Sequence, residues 1–180
     1  MGSSYRPPPL GVGIAAHNTD MAHPIGILGG SGLYAMAGVE VQSREAVETP
    51  FGPPSGPLVR GTLSGVPVVF LARHGEGHRF LPSEVPYRAN VWALKALGVQ
   101  RVLSVSAVGS LQARHAPGQL RLVSQFVDRT VGRASSFFGE GLVAHVGFAD
   151  PTCAQLHAHL LATGRALDLP LEGGASYLCM

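Results

Sequence analysis

The sequence predicts one α/β domain, and three features carry that expectation. Short apolar segments at Ile25 to Leu28, Val66 to Ala72 and Arg101 to Val105 each end in glycine or small polar residues, as buried strands do where they leave a sheet. A helical stretch, Arg88 to Leu97, separates two of them and is closed by Gly98 where a helix-terminating glycine belongs. At 180 residues the chain is long enough for a single core.

Taken in order, residues 1 to 22 read as a disordered leader and residues 23 to 180 as the domain. The prolines at 7, 8 and 9 break any apolar signal core, and Met21 is a plausible natural start, so the cytoplasm is the default location. Ile25 to Leu28 is a strand followed by Gly29-Gly30-Ser31-Gly32-Leu33-Tyr34. Glycines there let backbone N–H groups converge on an anion, and Ser31 adds a hydroxyl. A phosphate cradle and a plain strand-to-turn glycine cluster fit this segment equally well. Gly30 to Ala35 also fits the dinucleotide pattern G-x-G-x-x-A. Against that pattern, Gly38 leaves little room for a crossover helix, and the expected acid falls at Glu48 in a proline-rich loop.

Pro57 to Leu63 and Val66 to Ala72 form a predicted hairpin turning at Ser64-Gly65. The second strand runs into Ala-Arg-His-Gly-Glu-Gly-His-Arg, residues 72 to 79. Arg73, His74, His78 and Arg79 place cations and titratable rings at a strand exit, where α/β proteins meet ligands. Such a set reads as an oxyanion site, most simply for phosphate. On the helix that follows, Trp92 reads as core. The strand at Arg101 to Val105 delivers Ser106, either as another hydroxyl donor or as a turn serine bonding its own backbone. Leu120 to Val123 is a further strand, and Asp128-Arg129-Thr130 closes the segment after it. The loop to Asp150 carries Phe137, Phe138 and His145. Asp150-Pro151 reads as the start of a helix to Leu167, with Leu156, Leu160 and Leu161 facing inward. Another strand begins at Ser176.

Composition narrows the function. Apolar residues make up 46% and charged residues 13%, so part of the surface is expected to be covered by a second copy of the chain. A net charge of +2 with scattered arginines gives no nucleic-acid footprint. No apolar run approaches a membrane span. Cys153 and Cys179 show neither disulfide nor zinc spacing, and His157 and His159 diverge on a helix, so no metal is expected.

Six segments in order carry a resemblance: Gly29 to Leu33, Thr49 to Ser55, Ala72 to Gly75, Tyr87 to Lys95, Ala107 to Leu111 and Gln125 to Thr130. Together they closely resemble the trimeric purine nucleoside phosphorylases, on the methylthioadenosine phosphorylase branch. The resemblance covers Ile25 to Met180. It implies a mixed, partly barrel-like central sheet flanked by helices, in a homotrimer. It implies phosphorolysis in purine salvage: inorganic phosphate, a co-substrate rather than a cofactor, displaces the purine of 5′-methylthioadenosine or 5′-methylthioinosine with inversion. The products are free base and methylthioribose 1-phosphate. By resemblance Ser31, Arg73, His74 and Ser106 bind phosphate, Ala107 lies along ribose and phosphate, and His145 reaches a neighbouring subunit's 5′ substituent, with His78 in a supporting role.

In the family a Glu-Gly-Pro segment, a Met-Thr pair and the purine-binding acid follow the position of Met180. The resemblance therefore implies that residues 23 to 180 are the N-terminal two-thirds of a phosphorylase domain, that the 180-residue chain is inactive alone, and that the proton donor to the base lies beyond Met180. Three other readings compete. One is a 6-oxopurine nucleoside phosphorylase, one a truncated chain that only binds phosphate, and one, from the glycine pattern alone, a dinucleotide-binding oxidoreductase domain.

Overall fold

A computed structural model describes residues 23–30 and 32–180. The predicted leader and Ser31 lie outside the described residues. Nine elements of regular structure follow in order: strands β1 (Ile25–Gly29), β2 (Val39–Glu45), β3 (Leu58–Leu63) and β4 (Val66–Ala72), helix α1 (Tyr87–Ala96), strands β5 (Arg101–Ser104) and β6 (Leu120–Asp128), helix α2 (Ala154–Ala166) and strand β7 (Leu171–Cys179). A single 3-10 turn, Leu33–Ala35, stands between β1 and β2.

The first five strands form one mixed sheet in the order β2-β3-β4-β1-β5. β2, β3 and β4 are antiparallel neighbours, whereas β4, β1 and β5 run parallel. The predicted hairpin is present, and its turn places both Ser64 (φ 50°) and Gly65 (φ 79°) in the left-handed region, the two-residue turn that matches strand twist. β4 is buried from Val68 to Ala72, as a strand covered on both faces must be. On one face Leu58, Val69 and Leu71 pack with Ala93 and Leu94 of α1 and with Val99. On the other, Ile27, Val59, Val68 and Phe70 form a second cluster.

β6 and β7 make a separate two-stranded parallel sheet. α2 lies against β7: a Cβ on Gly164 would stand 3.1 Å from the Leu171 side chain. Leu156, Leu160 and Leu161 are half-buried rather than core. Among the described residues no helix is long and apolar enough to cross a membrane.

Several expectations need correction. β2 was not anticipated, although Val39, Val41 and Ser43 alternate along it. β6 runs on past Val123 because it pairs with β7 as far as Asp128 opposite Cys179. β7 starts at Leu171, not Ser176; Gly173-Gly174 weakens the strand pattern but is absorbed by a register shift, with Gly174 at φ 76°. α2 begins at Ala154 rather than after Asp150-Pro151, because Cys153 is extended (φ −72°, ψ 112°) and holds those residues outside the helix. Trp92 is 39% exposed and lies edge-on to Phe51, so it is not core.

Candidate anion site at the strand exits

The parallel trio defines the site. β1 sits between β4 and β5, with Gly29 opposite Ala72 and Leu28 opposite Ser104, so all three strands end at one edge of the sheet. The ladders continue one step further. Arg73 N–H donates to Gly29 O (2.9 Å), and Val105 N–H donates to Leu28 O (2.8 Å). The residues that follow, Arg73 and His74 on one side and Ser106 and Ala107 on the other, therefore leave the sheet from strands flanking β1. Neighbouring strands lie about 4.8 Å apart, so the exits of β4 and β5 stand about 10 Å from each other across β1. Gly29 is tightly packed here: a Cβ would displace the tip of the Leu33 side chain, at 2.2 Å, and crowd the Val105 carbonyl at 3.2 Å.

Arg73 and His74 interlock. Nδ1 of His74 lies 2.9 Å from the Phe80 carbonyl, which can only accept, so Nδ1 carries the proton. Nε2 is then an acceptor, and it takes the Nε–H of Arg73 at 3.3 Å. Among the described residues, the terminal nitrogens of Arg73 make no hydrogen bond. A guanidinium held by Nε alone keeps the two-pronged end that matches an oxyanion. Both residues are half-buried, which lessens screening of the charge by water.

The glycine-rich turn that follows is fixed from outside. Gly75 and Gly77 take left-handed backbone (φ 73° and 74°), and His78 does the same at φ 55°. Arg44 of β2 pairs with Glu76 at 2.6 Å. Ser55 is fully buried beneath the turn; its hydroxyl donates to Ala72 O (2.6 Å) and its N–H to Asn90 Oδ1 of α1 (2.8 Å). The segments Thr49 to Ser55, Ala72 to Gly75 and Tyr87 to Lys95 are thus one hydrogen-bonded unit. Arg79 does not join the anion site: its Nη2 donates to Ser55 O (3.4 Å) and its guanidinium covers the Phe80 ring at 5.3 Å.

The predicted residues are only partly gathered. Arg73, His74 and His78 lie together, and the His78 ring is stacked on that of His74 (centroids 6.1 Å, interplanar angle 14°). Ser106 and Ala107 follow the β5 exit, on the far side of β1. Ser31 lies outside the described residues. His145 sits on the exposed segment between β6 and α2, and no hydrogen bond or ring contact among the described residues joins it to Arg73, His74 or Ser106. Sequence reasoning missed Ser55 and Asn90. A buried polar pair 35 residues apart has no local signal. Phe51, which bridges Trp92 and Phe137 and carries the Arg88 guanidinium at 4.9 Å, was likewise unassigned. An open cleft of about 360 Å³ lies elsewhere, lined by Tyr87, Arg88, Asp128, Arg133 and Phe137 among others, and by none of the predicted site residues. No group of three or more histidines, cysteines or acids among the described residues could hold a metal ion.

The dinucleotide alternative fails on this architecture. That pattern needs a crossover helix whose N-terminus meets the pyrophosphate. Here the glycines lead into a three-residue 3-10 turn and then the antiparallel strand β2.

Fold and candidate site together define an α/β protein that carries the Arg73–His74 pair at the carboxyl edge of a parallel strand trio. Comparison makes the assignment specific: residues 24–180 match the family model described as the phosphorylase superfamily, and the chain belongs to that family. It is 52% identical over 161 residues to S-methyl-5′-thioadenosine phosphorylase of Geobacter sulfurreducens, covering 89% of this chain and 56% of that protein. It is 45% identical to the protein of the same name from Pyrococcus furiosus, covering 87% and 60%. Among solved structures it is similar to methylthioadenosine phosphorylase from an antarctic soil metagenomic library, with a TM-score of 0.83, 48% identity and coverage of 88% and 56%. It is also similar to methylthioadenosine phosphorylase from Schistosoma mansoni in complex with adenine, with a TM-score of 0.78, 36% identity and coverage of 87% and 64%. The chain spans little more than half the length of the Geobacter relative.

Proposed function

We propose that this chain supplies the phosphate and ribose side of a phosphorylase acting on 5′-methylthioadenosine, in purine salvage. The observation that carries the reading is the Arg73–His74 pair at the exit of β4, one strand away from the β1 exit that leads to Ser31 and two from the β5 exit that leads to Ser106. The names of the relatives support the substrate.

In this reading Arg73 offers its terminal nitrogens to phosphate, with hydroxyls of Ser31 and Ser106 completing the set and Ala107 beside the ribose. The bond between the anomeric carbon and the purine nitrogen breaks as one between that carbon and a phosphate oxygen forms. Positive charge builds on the ribosyl ring in between. A dianion fixed beside it is both nucleophile and electrostatic stabiliser. Arg73 holds that dianion while His74 Nε2 fixes its guanidinium, and neither passes the dianion a proton. The leaving purine takes its proton or hydrogen bond from another group.

A homotrimer in the cytoplasm completes the proposal, with His145 reaching a neighbouring subunit's 5′ substituent. Its support is the exposed apolar segment around it: Val131 is 91% exposed and Val143 79%. The test is phosphate-dependent release of adenine from 5′-methylthioadenosine, with inosine as competitor, by a polypeptide of the relatives' length carrying these 180 residues. Release independent of phosphate, or preference for inosine, overturns it.

A further inference from the structure

We propose that His78 is a positioning residue for the phosphate site: its imidazole, stacked on His74, holds that ring where Nε2 clamps Arg73. The proposal rests on the reading of Arg73 as a phosphate ligand.

Three backbone positions between Gly75 and His78 are left-handed: Gly75, Gly77 and His78, at φ 73°, 74° and 55°. Glycine adopts that region at no steric cost, whereas a residue with a Cβ is strained there. Glycine fills two of the three positions, yet the third carries an imidazole. The turn itself needs no ring there: the inward bond at this position is made by the backbone, His78 N–H to Gly75 O at 3.3 Å. Strain kept at one residue beside a cluster of cations points to work done by its side chain.

The side chain's contact is with His74. At 6.1 Å and 14° the two rings are offset-parallel, within the range in which flat rings attract. Among the described residues, the hydrogen bonds of His74 are at its edge, by Nδ1–H to Phe80 O and by Nε2 from Arg73, both in the plane of the ring. Those bonds limit large rotations of the ring, while small tilts out of its plane are resisted by contacts on the faces. His78 is the contact on one face. Removing it frees the ring to tilt and to exchange tautomers, and the Nε of Arg73 loses a fixed acceptor. Arg73 meets the pair from the β4 exit, whereas the charge of Arg79 is turned toward Ser55 and Phe80.

The discriminating variant is His78→Gly, which relaxes the backbone while deleting the ring, so a merely structural role in the turn is preserved. The readouts are the ¹⁵N signals of the His74 ring and the affinity for inorganic phosphate, with Arg73→Ala beside it. The expected result is a protonated-Nδ1 signature in the unsubstituted chain, averaging between tautomers in His78→Gly, and phosphate binding weakened roughly two- to tenfold, the scale of one stacked pair. His78→Phe, which restores a flat ring, should recover the His74 signature. Unchanged His74 signals and phosphate affinity in His78→Gly, with binding lost in Arg73→Ala, overturns the role of His78 and leaves the site standing. Phosphate binding that survives Arg73→Ala overturns the site itself, and this proposal with it.

Discussion

The backbone N–H of Ser55 donates to Oδ1 of Asn90 across 2.8 Å, and both residues are buried, at 0% and 2% exposure. Helix α1 thereby holds the loop whose serine hydroxyl bonds the carbonyl of Ala72, the residue before Arg73. Asn90→Ala leaves a buried N–H without an acceptor, which costs about 1–3 kcal/mol. Urea unfolding should show a lower midpoint with an unchanged slope. A midpoint within error of the unsubstituted chain would mean that the loop is not held by this bond.

Gly61 makes a different demand. It lies in β3 opposite Val41, and a Cβ there would sit 2.3 Å from the Glu40 carbonyl oxygen and 3.1 Å from its carbon. Those are backbone atoms, so β2 itself must move. Gly61→Ala should destabilise by about 1–3 kcal/mol, the range for overpacking a filled site. Gly56→Ala meets nothing within 4 Å and serves as the control, with stability unchanged or slightly raised. Equal melting temperatures for the two variants would count against this packing.

Arg73 and Arg79 flank the same turn but have opposite expected effects. Arg73→Ala should weaken inorganic phosphate by roughly 2–4 kcal/mol, the scale for losing one partner of a desolvated charge pair. Arg79 is engaged by Ser55 O and the Phe80 ring, so Arg79→Ala should change phosphate affinity little and act on stability instead. Calorimetric titration of phosphate into both variants separates the roles. Comparable losses would mean that the charge of the whole turn, not the geometry of Arg73, attracts the anion.

The contrast between these arginines shows how far the sequence could be read. Strand β4, its Ser64-Gly65 turn and α1 were legible because apolar period, turn chemistry and the closing Gly98 act locally. That cations cluster after β4 was equally plain. Residue types alone did not separate Arg73 from Arg79, although the resemblance pointed to Arg73, because Arg79 is diverted by a serine carbonyl 24 residues earlier. Asn90 and Ser55 escaped for the same reason: each is polar, and only tertiary contact reveals that it is buried. β7 was cut short because Gly173-Gly174 reads as a turn until parallel pairing with β6 fixes its register. Local chemistry announces elements and residue types; partners distant in the chain decide their orientation.

Asp128 supplies a test by pH. It ends β6, and its Oδ1 accepts the backbone N–H of Thr130 at 2.8 Å. That bond, the Thr130 hydroxyl and the Arg133 guanidinium hold its carboxyl below the usual carboxylate range. Because the folded carboxyl is the stronger acid, the unfolded chain takes up its proton first as pH falls. The stabilisation is therefore complete at neutral pH, above the ordinary carboxylate range, and is lost as pH drops through the lowered value in the fold. Asp128→Asn removes the charge and its pH response together. The difference in melting temperature between the unsubstituted chain and Asp128→Asn should favour aspartate at pH 7 and shrink steadily toward strong acid. Arg133→Gln, which takes away one source of the shift, should narrow the difference at pH 7 without abolishing it, since the Thr130 bonds remain. A difference that stays constant from neutral pH into acid would show that Asp128 is not bound this way at the end of β6.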